Sequence, residues 1–314
     1  MRLYSLLAAA KINLYLEIVG DRRDGYHELV MVMQSVNLCD RVTVRSLGTD
    51  DIRIRCDHPL VPTDASNLAY RAAALLAQTF PNVLTKFGGV EITIEKQIPV
   101  GAGLAGGSTN AAAVLVGLDM LWKLGLTQSE LQALGAKLGS DVPFCVVGGT
   151  AIATGRGEAL DPLKSLDNLS VVLAKYHSLS VSTPWAYQTY RQQFGDQYIQ
   201  DLDQMRARQQ SIRSSDIVSA IIDQAGATIG QDLSNDLEKV VLSAHPQVAH
   251  LKEVLMSLGG IGTLMSGSGP TVFTLAETAD AAAAIAAKLR QHIPDPDLGI
   301  WTAQLIPNSI QLAD

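Results

Sequence analysis

Ile12, Leu14, Leu16 and Ile18 are separated by Asn13, Tyr15 and Glu17. This period of two is the pattern of a half-buried β-strand, beginning at Lys11 and broken by a charged turn at 20–25. Similar alternation at 41–45, 52–56 and 90–94 makes the first hundred residues strand-rich, interrupted by one helix over 68–79 with Asn67 or Ser66 at its cap. The spacing becomes helical from 107 to 124, where Ser108, Thr109 and Asn110 are available as caps and Gly125 as terminator. A helix at 129–138, a strand and turn at 148–157 and a polar connection at 161–168 follow.

Beyond the connection, strands are predicted at 171–174, 262–265, 271–275 and 299–305, and helices at 184–194, 217–224, 251–258 and 279–291. The mixture reads as a compact α+β arrangement, with no repeat of solenoid type. The polar stretch 196–215, which carries Arg206, Arg208 and Arg213, is expected to be a solvated helix or a mobile insertion. We place a domain boundary in the connection, giving units 1–163 and 164–314.

Composition narrows the function classes. At roughly 150 residues per domain, 314 residues suffice for one large or two ordinary domains. The 31 acidic and 24 basic residues give a net charge of −7, which argues against a generic nucleic-acid binder because such affinity comes from Lys and Arg neutralising phosphates. A local basic site for a small phosphorylated ligand remains compatible. A chain that is 47% hydrophobic and 18% charged is not of the disordered class. The most apolar stretch, 111–126, contains Asp119 and Lys123 and is shorter than the roughly 18 to 20 residues of a membrane span, so no membrane partner is expected. Arg2 and the apolar residues 3–10 look superficially like a signal peptide but run directly into the strand pattern. Cys39, Cys56 and Cys145 are odd in number and lack zinc or redox spacing. A reduced, cytoplasmic protein with structural cysteines is the expectation.

The most informative segment is Pro99-Val100-Gly101-Ala102-Gly103-Leu104-Ala105-Gly106-Gly107-Ser108-Thr109-Asn110, set between a strand and a helix. Its glycines permit positive φ and close backbone approach. Its amides and the following helix N-terminus favour an anion. Three other interpretations compete with a nucleotide-phosphate loop. Gly101, Gly103 and Gly106 fit the dinucleotide-binding pattern, but the acidic residue expected about 20 positions on should end a strand, and Asp119 lies inside a helix. A Walker loop would need Lys where Gly107 stands. A glycine-rich turn with no ligand is the third.

A phosphate loop without its own lysine needs a cation from elsewhere, and Lys11, followed by Asn13, is the candidate; an exposed lysine before a strand is the plain alternative. An acceptor hydroxyl needs a carboxylate, and Asp141, in a glycine turn ahead of an apolar run, is the choice over a simple helix cap.

These segments together resemble the GHMP small-molecule kinases. Ala10-Lys11-Ile12-Asn13-Leu14 followed by Gly20-Asp21-Arg22-Arg23-Asp24-Gly25-Tyr26-His27-Glu28-Leu29 narrows the likeness to members that act on a cytidyl sugar alcohol. Ser266-Gly267-Ser268-Gly269 is similar to the family's third, glycine-rich motif. The likeness is weakest over 196–230. It implies a two-domain α+β fold, with an N-terminal domain like domain 2 of ribosomal protein S5 and a ferredoxin-like C-terminal domain. It also implies ATP-dependent phosphorylation of the 2-hydroxyl of 4-diphosphocytidyl-2-C-methyl-D-erythritol, in the non-mevalonate route to isoprenoids, with Mg²⁺ required. Lys11 and Asp141 match the family's catalytic pair, residues 99–109 its ATP loop, and Asn13 a contact to the methylerythritol hydroxyls. His27 matches the group that bonds the cytosine edge, while Tyr26 and Tyr187 would cover the two faces of the base. Ser108 is a candidate Mg²⁺ ligand, directly or through water. A monomer or weak homodimer is expected.

The sequence departs from the family pattern at Ala9, Ala105 and Thr109, where Pro, Gly and Ser are common. Ala105 should keep a negative φ unless the loop is strained. Two alternatives remain: a GHMP kinase acting on mevalonate, homoserine or a sugar, which would not need Tyr26 and His27, and a non-catalytic nucleotide binder, which would be expected to lack Lys11 or Asp141.

Overall fold

Two long strands, β1 (Leu3–Asp21) and β2 (His27–Ser46), form a hairpin whose turn is closed with Gly25 at φ +86°. The computed structural model describes residues 3–313; Arg2 of the signal-like stretch lies outside them, and residues 3–10 belong to β1. The remaining strands are β3 (Ile52–Cys56), β4 (Val90–Glu95), β5 (Thr150–Gly155), β6 (Ala159–Pro162), β7 (Ser170–Tyr176), β8 (Ser234–Asn235), β9 (Gly262–Met265), β10 (Val272–Ala276), β11 (Leu298–Gln304) and β12 (Ile310–Leu312). The helices are α1 (Leu68–Thr79), α2 (Val83–Phe87), α3 (Gly106–Trp122), α4 (Gln128–Ala136), α5 (Val142–Val147), α6 (Thr183–Phe194), α7 (Leu202–Ser211), α8 (Asp216–Ile222), α9 (Gly226–Gln231), α10 (Glu238–Ala244), α11 (Pro246–Ser257) and α12 (Ala279–His292).

One sheet runs β12-β1-β2-β4-β3, with β5 pairing the first half of β2, β6 pairing β5, and β8 adding to β1. The other is the antiparallel sheet β11-β7-β10-β9. Helices α1 and α3 cover the first sheet through Leu6, Val42, Val44, Ile92 and Ala113. The central strands of the second sheet, β7 and β10, are buried on both faces. Val171, Leu173, Phe273 and Leu275 join Ile12, Val30 and Val32 of the first sheet, and Val172, Ala174 and Val272 pack with residues of α11 and α12. The β12 strand returns the end of the chain to β1, so residues from both halves share one sheet.

The alternation in β1 is interrupted where the sequence shows no break. The register with β2 slips between Asn13 and Tyr15, a bulge that reverses the side-chain parity beyond it. Ile12 and Leu14 consequently pack in one core and Leu16 and Ile18 in another, whereas the sequence pattern puts all four on one face. Lys11 and Asn13 share their face with Met31 and Met33 of β2 and, beyond the bulge, with Leu16 and Ile18. Burial of both faces also hides residues 27–36 of β2 from a search for alternation. Lys11 is therefore mid-strand rather than at a strand start, and only 5% exposed.

Most other elements fall close to their predicted places. Asn67 caps α1 by accepting from Ala69 N at 2.9 Å, and α7 occupies the polar 196–215 stretch. The connection at 161–168 is partly ordered, because Asp161 and Pro162 end β6. The short α5, opened by Pro143, has too few turns to show a period. The start of α3 differs in kind. Ser108, Thr109 and Asn110 lie inside the helix, and the residue before it is Ala105, at φ +57°. The expected negative φ is not found, so Ala105 holds a left-handed conformation that costs roughly 1–2 kcal/mol without glycine. Asn110 is turned inward to donate to Asp40 at 2.8 Å.

Asp40 is fully buried and joins the segment entering the glycine loop to β2. It accepts from Lys96 Nζ, from Gln97 N and Ile98 N at 2.8 Å each, and from Asn110 Nδ2. Removing it strands a cation, two backbone donors and an amide in a buried place. Asp40→Ala should lower stability by about 3–5 kcal/mol, read as the urea midpoint; a change below about 1 kcal/mol would contradict the role given to Asp40.

Candidate active site

Alternation in β1 aims Lys11 and Asn13 the same way, i and i+2 on one face. Lys11 Nζ donates to Asn13 Oδ1 at 2.6 Å and lies 3.6 Å from Asp141 Oδ2. Asp141 stands just ahead of α5 with its side chain about one-third exposed. A buried ammonium is costly unless paired, and the two partners compensate this one. Asn13 Nδ2 has only Met31 Sδ nearby, at 3.4 Å, so it retains capacity to donate. These three residues line a cleft of about 850 Å³ together with Tyr26, His27, Tyr187 and residues 99–108.

The glycine loop turns through Gly101 at φ +61° and Gly103 at φ +73° before α3 begins. It is fixed to its surroundings through the backbone: Lys11 N donates to Leu104 O at 3.1 Å, and Ser266 Oγ donates to Gly103 O at 3.1 Å. A Cβ on Gly103 would stand 2.3 Å from Ser266 O, and one on Gly267 would meet Lys11 Nζ and Asn13 Oδ1 at 3.3 Å. The 266–269 loop thus closes over both the glycine loop and Lys11, and Asn235 holds it by donating to Met265 O and Gly267 O at 2.7 and 2.8 Å. Ser108 lies on the cleft wall in the first turn of α3. Thr109 is fully buried beneath the loop and is not part of that wall.

At the other end of the cleft, Tyr26 is 53% exposed while His27, the first residue of β2, is buried. The His27 and Tyr187 rings lie 5.2 Å apart at 32°, and Tyr198 meets His27 edge-on at 5.8 Å. His27 Nε2 is buried without a hydrogen-bond partner; the nearest carboxylate oxygen, Asp21 Oδ1, is 3.7 Å away. Burial first and the Arg191 guanidinium second push its pKa down to about 4, against an opposing pull from Asp21. Near neutral pH the ring is uncharged, with one donor and one acceptor nitrogen.

Several contributors escaped sequence reasoning. Arg156, in the turn between β5 and β6, sets its guanidinium 4.9 Å from the Tyr26 ring centre. Lys96 reaches the cleft from its ion pair with Asp40. Thr183 and Ser268, from opposite sides of the cleft, are hydrogen-bonded at 2.8 Å. Arg208 of α7 holds Glu17 through Nη2 at 2.7 Å and Tyr15 at 3.0 Å, and Gln209 reaches Glu28 beside His27. Ser268 belongs to the 266–269 glycine motif, whereas Arg156, Lys96, Thr183, Arg208 and Gln209 carry none; the basic character of 196–215 was the only signal for Arg208 and Gln209. Among the described residues no cluster of three or more His, Cys, Asp or Glu could hold a metal ion, and no helix is long and apolar enough to cross a membrane.

The chain is similar to known proteins over nearly its whole length. The family model described as GHMP kinases N terminal domain matches residues 67–149, and that described as GHMP kinases C terminal matches residues 217–295. The chain is 62% identical to the 4-diphosphocytidyl-2-C-methyl-D-erythritol kinase of Nostoc punctiforme and 61% identical to that of Gloeothece citriformis, with 99% of both chains covered in each case. A crystal structure of 4-(cytidine 5'-diphospho)-2C-methyl-D-erythritol kinase is similar at a TM-score of 0.74 and 33% identity, covering 96% of this chain and 98% of that one. A homoserine kinase from Cytophaga hutchinsonii, 19% identical with a TM-score of 0.76 over 100% of this chain and 98% of its own, shares the fold. By motif, architecture and full-length identity, the chain belongs to the GHMP kinases, in the family of the 4-diphosphocytidyl-2-C-methyl-D-erythritol kinases.

Proposed function

We propose that this protein transfers the γ-phosphoryl group of ATP to the 2-hydroxyl of 4-diphosphocytidyl-2-C-methyl-D-erythritol, giving the 2-phosphate and ADP. The observation that carries the chemistry is the 3.6 Å pairing of Lys11 and Asp141 beside a loop of phosphate-directed amides. Asp141 orients the hydroxyl and takes its proton as the oxygen bonds to the γ-phosphorus and the bond from phosphorus to the β–γ bridging oxygen breaks. Lys11 pairs with Asp141 and offsets charge on the transferred group, while Asn13 holds neighbouring hydroxyls of the acceptor. Residues 101–108 bind the ATP phosphates at the start of α3.

The slot formed by Tyr26, His27 and Tyr187 supports the cytidyl acceptor over mevalonate, homoserine or a sugar, none of which offers an aromatic base to stack. Neutral His27 meets a pyrimidine edge that presents both donors and acceptors. Mg²⁺ fits as a metal held mostly by nucleotide phosphates and water, because the cleft offers Ser108 and Asp141 but no larger acidic cluster. Such a metal would screen phosphate charge, with Ser108 as its protein ligand. A cytoplasmic enzyme, monomeric or weakly dimeric, with a division near residue 163 completes the proposal.

Asp141→Asn should reduce kcat by roughly 10²- to 10⁴-fold while ATP affinity, measured by calorimetry, stays within about threefold of wild type; retained turnover would remove Asp141 from the chemistry. His27→Ala should raise the KM for the cytidyl substrate at least about tenfold, the worth of one lost hydrogen bond, and leave the KM for ATP alone. The same side chain has a pH signature. The unfolded chain protonates His27 below about pH 6.5, whereas the folded protein resists until about pH 4, so folding stability falls as pH drops through that window. His27→Ala should lose that component of the acid sensitivity, and an unaltered profile of stability against pH would contradict a buried neutral imidazole.

A further inference from the structure

We propose that Arg191 is a positioning residue for the cytidine end of the substrate, because it ties the β1–β2 turn to α6 and so sets the separation of the two walls of the slot. The inference rests on the reading of that slot given above. Tyr26 and His27 follow the turn, whereas Tyr187 comes from α6, and no strand pairing connects the two elements. Arg191 is one helical turn beyond Tyr187 on the same face of α6. Its Nε donates to Asp21 Oδ1 at 2.8 Å and its Nη2 to the Gly25 carbonyl at 3.0 Å.

The two bonds act on different parts of the turn. Asp21 is the last residue of β1, and its Oδ1 also faces His27 Nε2 at 3.7 Å. The Gly25 carbonyl belongs to the peptide that leads into Tyr26, so its position limits where the Tyr26 ring can stand. Apart from its chain neighbours, no atom lies within 4 Å of the place a Cβ on Gly25 would occupy, and the Arg156 guanidinium that meets the Tyr26 ring comes from the β5–β6 turn rather than from α6. Arg22 donates to Asp24 and to Glu28 and shapes the turn internally, without reaching α6. A planar guanidinium suits a carboxylate and a carbonyl presented side by side, and a lysine ammonium lacks that fork.

Misplacing one wall of a binding slot weakens substrate capture without removing a reacting group. The test uses the full-length enzyme with Arg191→Met, Arg191→Lys, Asp21→Asn and the Asp21→Asn/Arg191→Met double variant. Steady-state kinetics are combined with amide hydrogen exchange of residues 24–28. Arg191→Met should raise the KM for the cytidyl substrate about three- to tenfold, the range set by a partly exposed ion pair plus one carbonyl bond. The KM for ATP should not move, kcat should change less than the KM, and exchange at 24–28 should accelerate. Arg191→Lys should restore only part of the loss, and the double variant should be no worse than Arg191→Met. Unchanged exchange and an unchanged KM in both Arg191→Met and Asp21→Asn would overturn the proposal, as would independent, additive losses. A wild type that ignores the cytidyl compound while Arg191→Met still accelerates exchange at 24–28 would defeat the reading of the slot and uphold the clamp.

Discussion

The architecture of the site follows from keeping one ammonium group charged inside a sheet. Lys11 is 5% exposed in the middle of β1, where an unpaired cation would cost several kcal/mol. Compensation comes from Asn13 two residues on and from Asp141 just ahead of α5, so the strand and the start of that helix must be brought together. The same constraint reaches the glycine loops. Lys11 donates its backbone N–H to Leu104, and Gly267 comes so close to its Nζ that a side chain there would crowd it. Lys11, Asp141 and the two glycine loops are therefore one unit, drawn from both halves of the chain.

The acceptor end is assembled differently. Tyr26 and His27 sit at the end of a long hairpin whose core strands cannot by themselves hold its tip. Polar contacts do so from two sides, with Arg191 of α6 reaching Asp21 and Gly25, and Arg208 and Gln209 of α7 reaching Glu17 and Glu28. The segment with the least apolar character thus braces the two long strands. Its polarity reflects a task of gripping charged strand residues rather than simple solvation.

Much of this was legible in the residues. The glycine run announced the tight loop ahead of α3, Asn67 announced the start of α1, and the Lys11, Asp141 and Tyr26-His27 segments together carried the family resemblance. The failures have physical causes. A bulge after Asn13 inverts the faces of β1 without altering its hydrophobic pattern, and residues 27–36 of β2 are buried on both faces, so they show no alternation. Ala105 adopts positive φ at the turn from the glycine loop into α3, a conformation that an alanine does not announce. Arg156, Arg191 and Arg208 act across the chain, and long-range ion pairs leave no mark in local spacing.

The central claim is that a Lys11–Asp141 phosphoryl-transfer centre is served by a cytosine-reading slot. It is tested most directly by ADP release from Mg²⁺-ATP across a panel of acceptors: 4-diphosphocytidyl-2-C-methyl-D-erythritol, 2-C-methyl-D-erythritol 4-phosphate, mevalonate, homoserine and galactose. The account predicts turnover of the first alone. Turnover of another acceptor in preference to it would keep the transfer centre and contradict the assignment of Tyr26, His27 and Tyr187, and silence with all five would contradict the transfer centre itself.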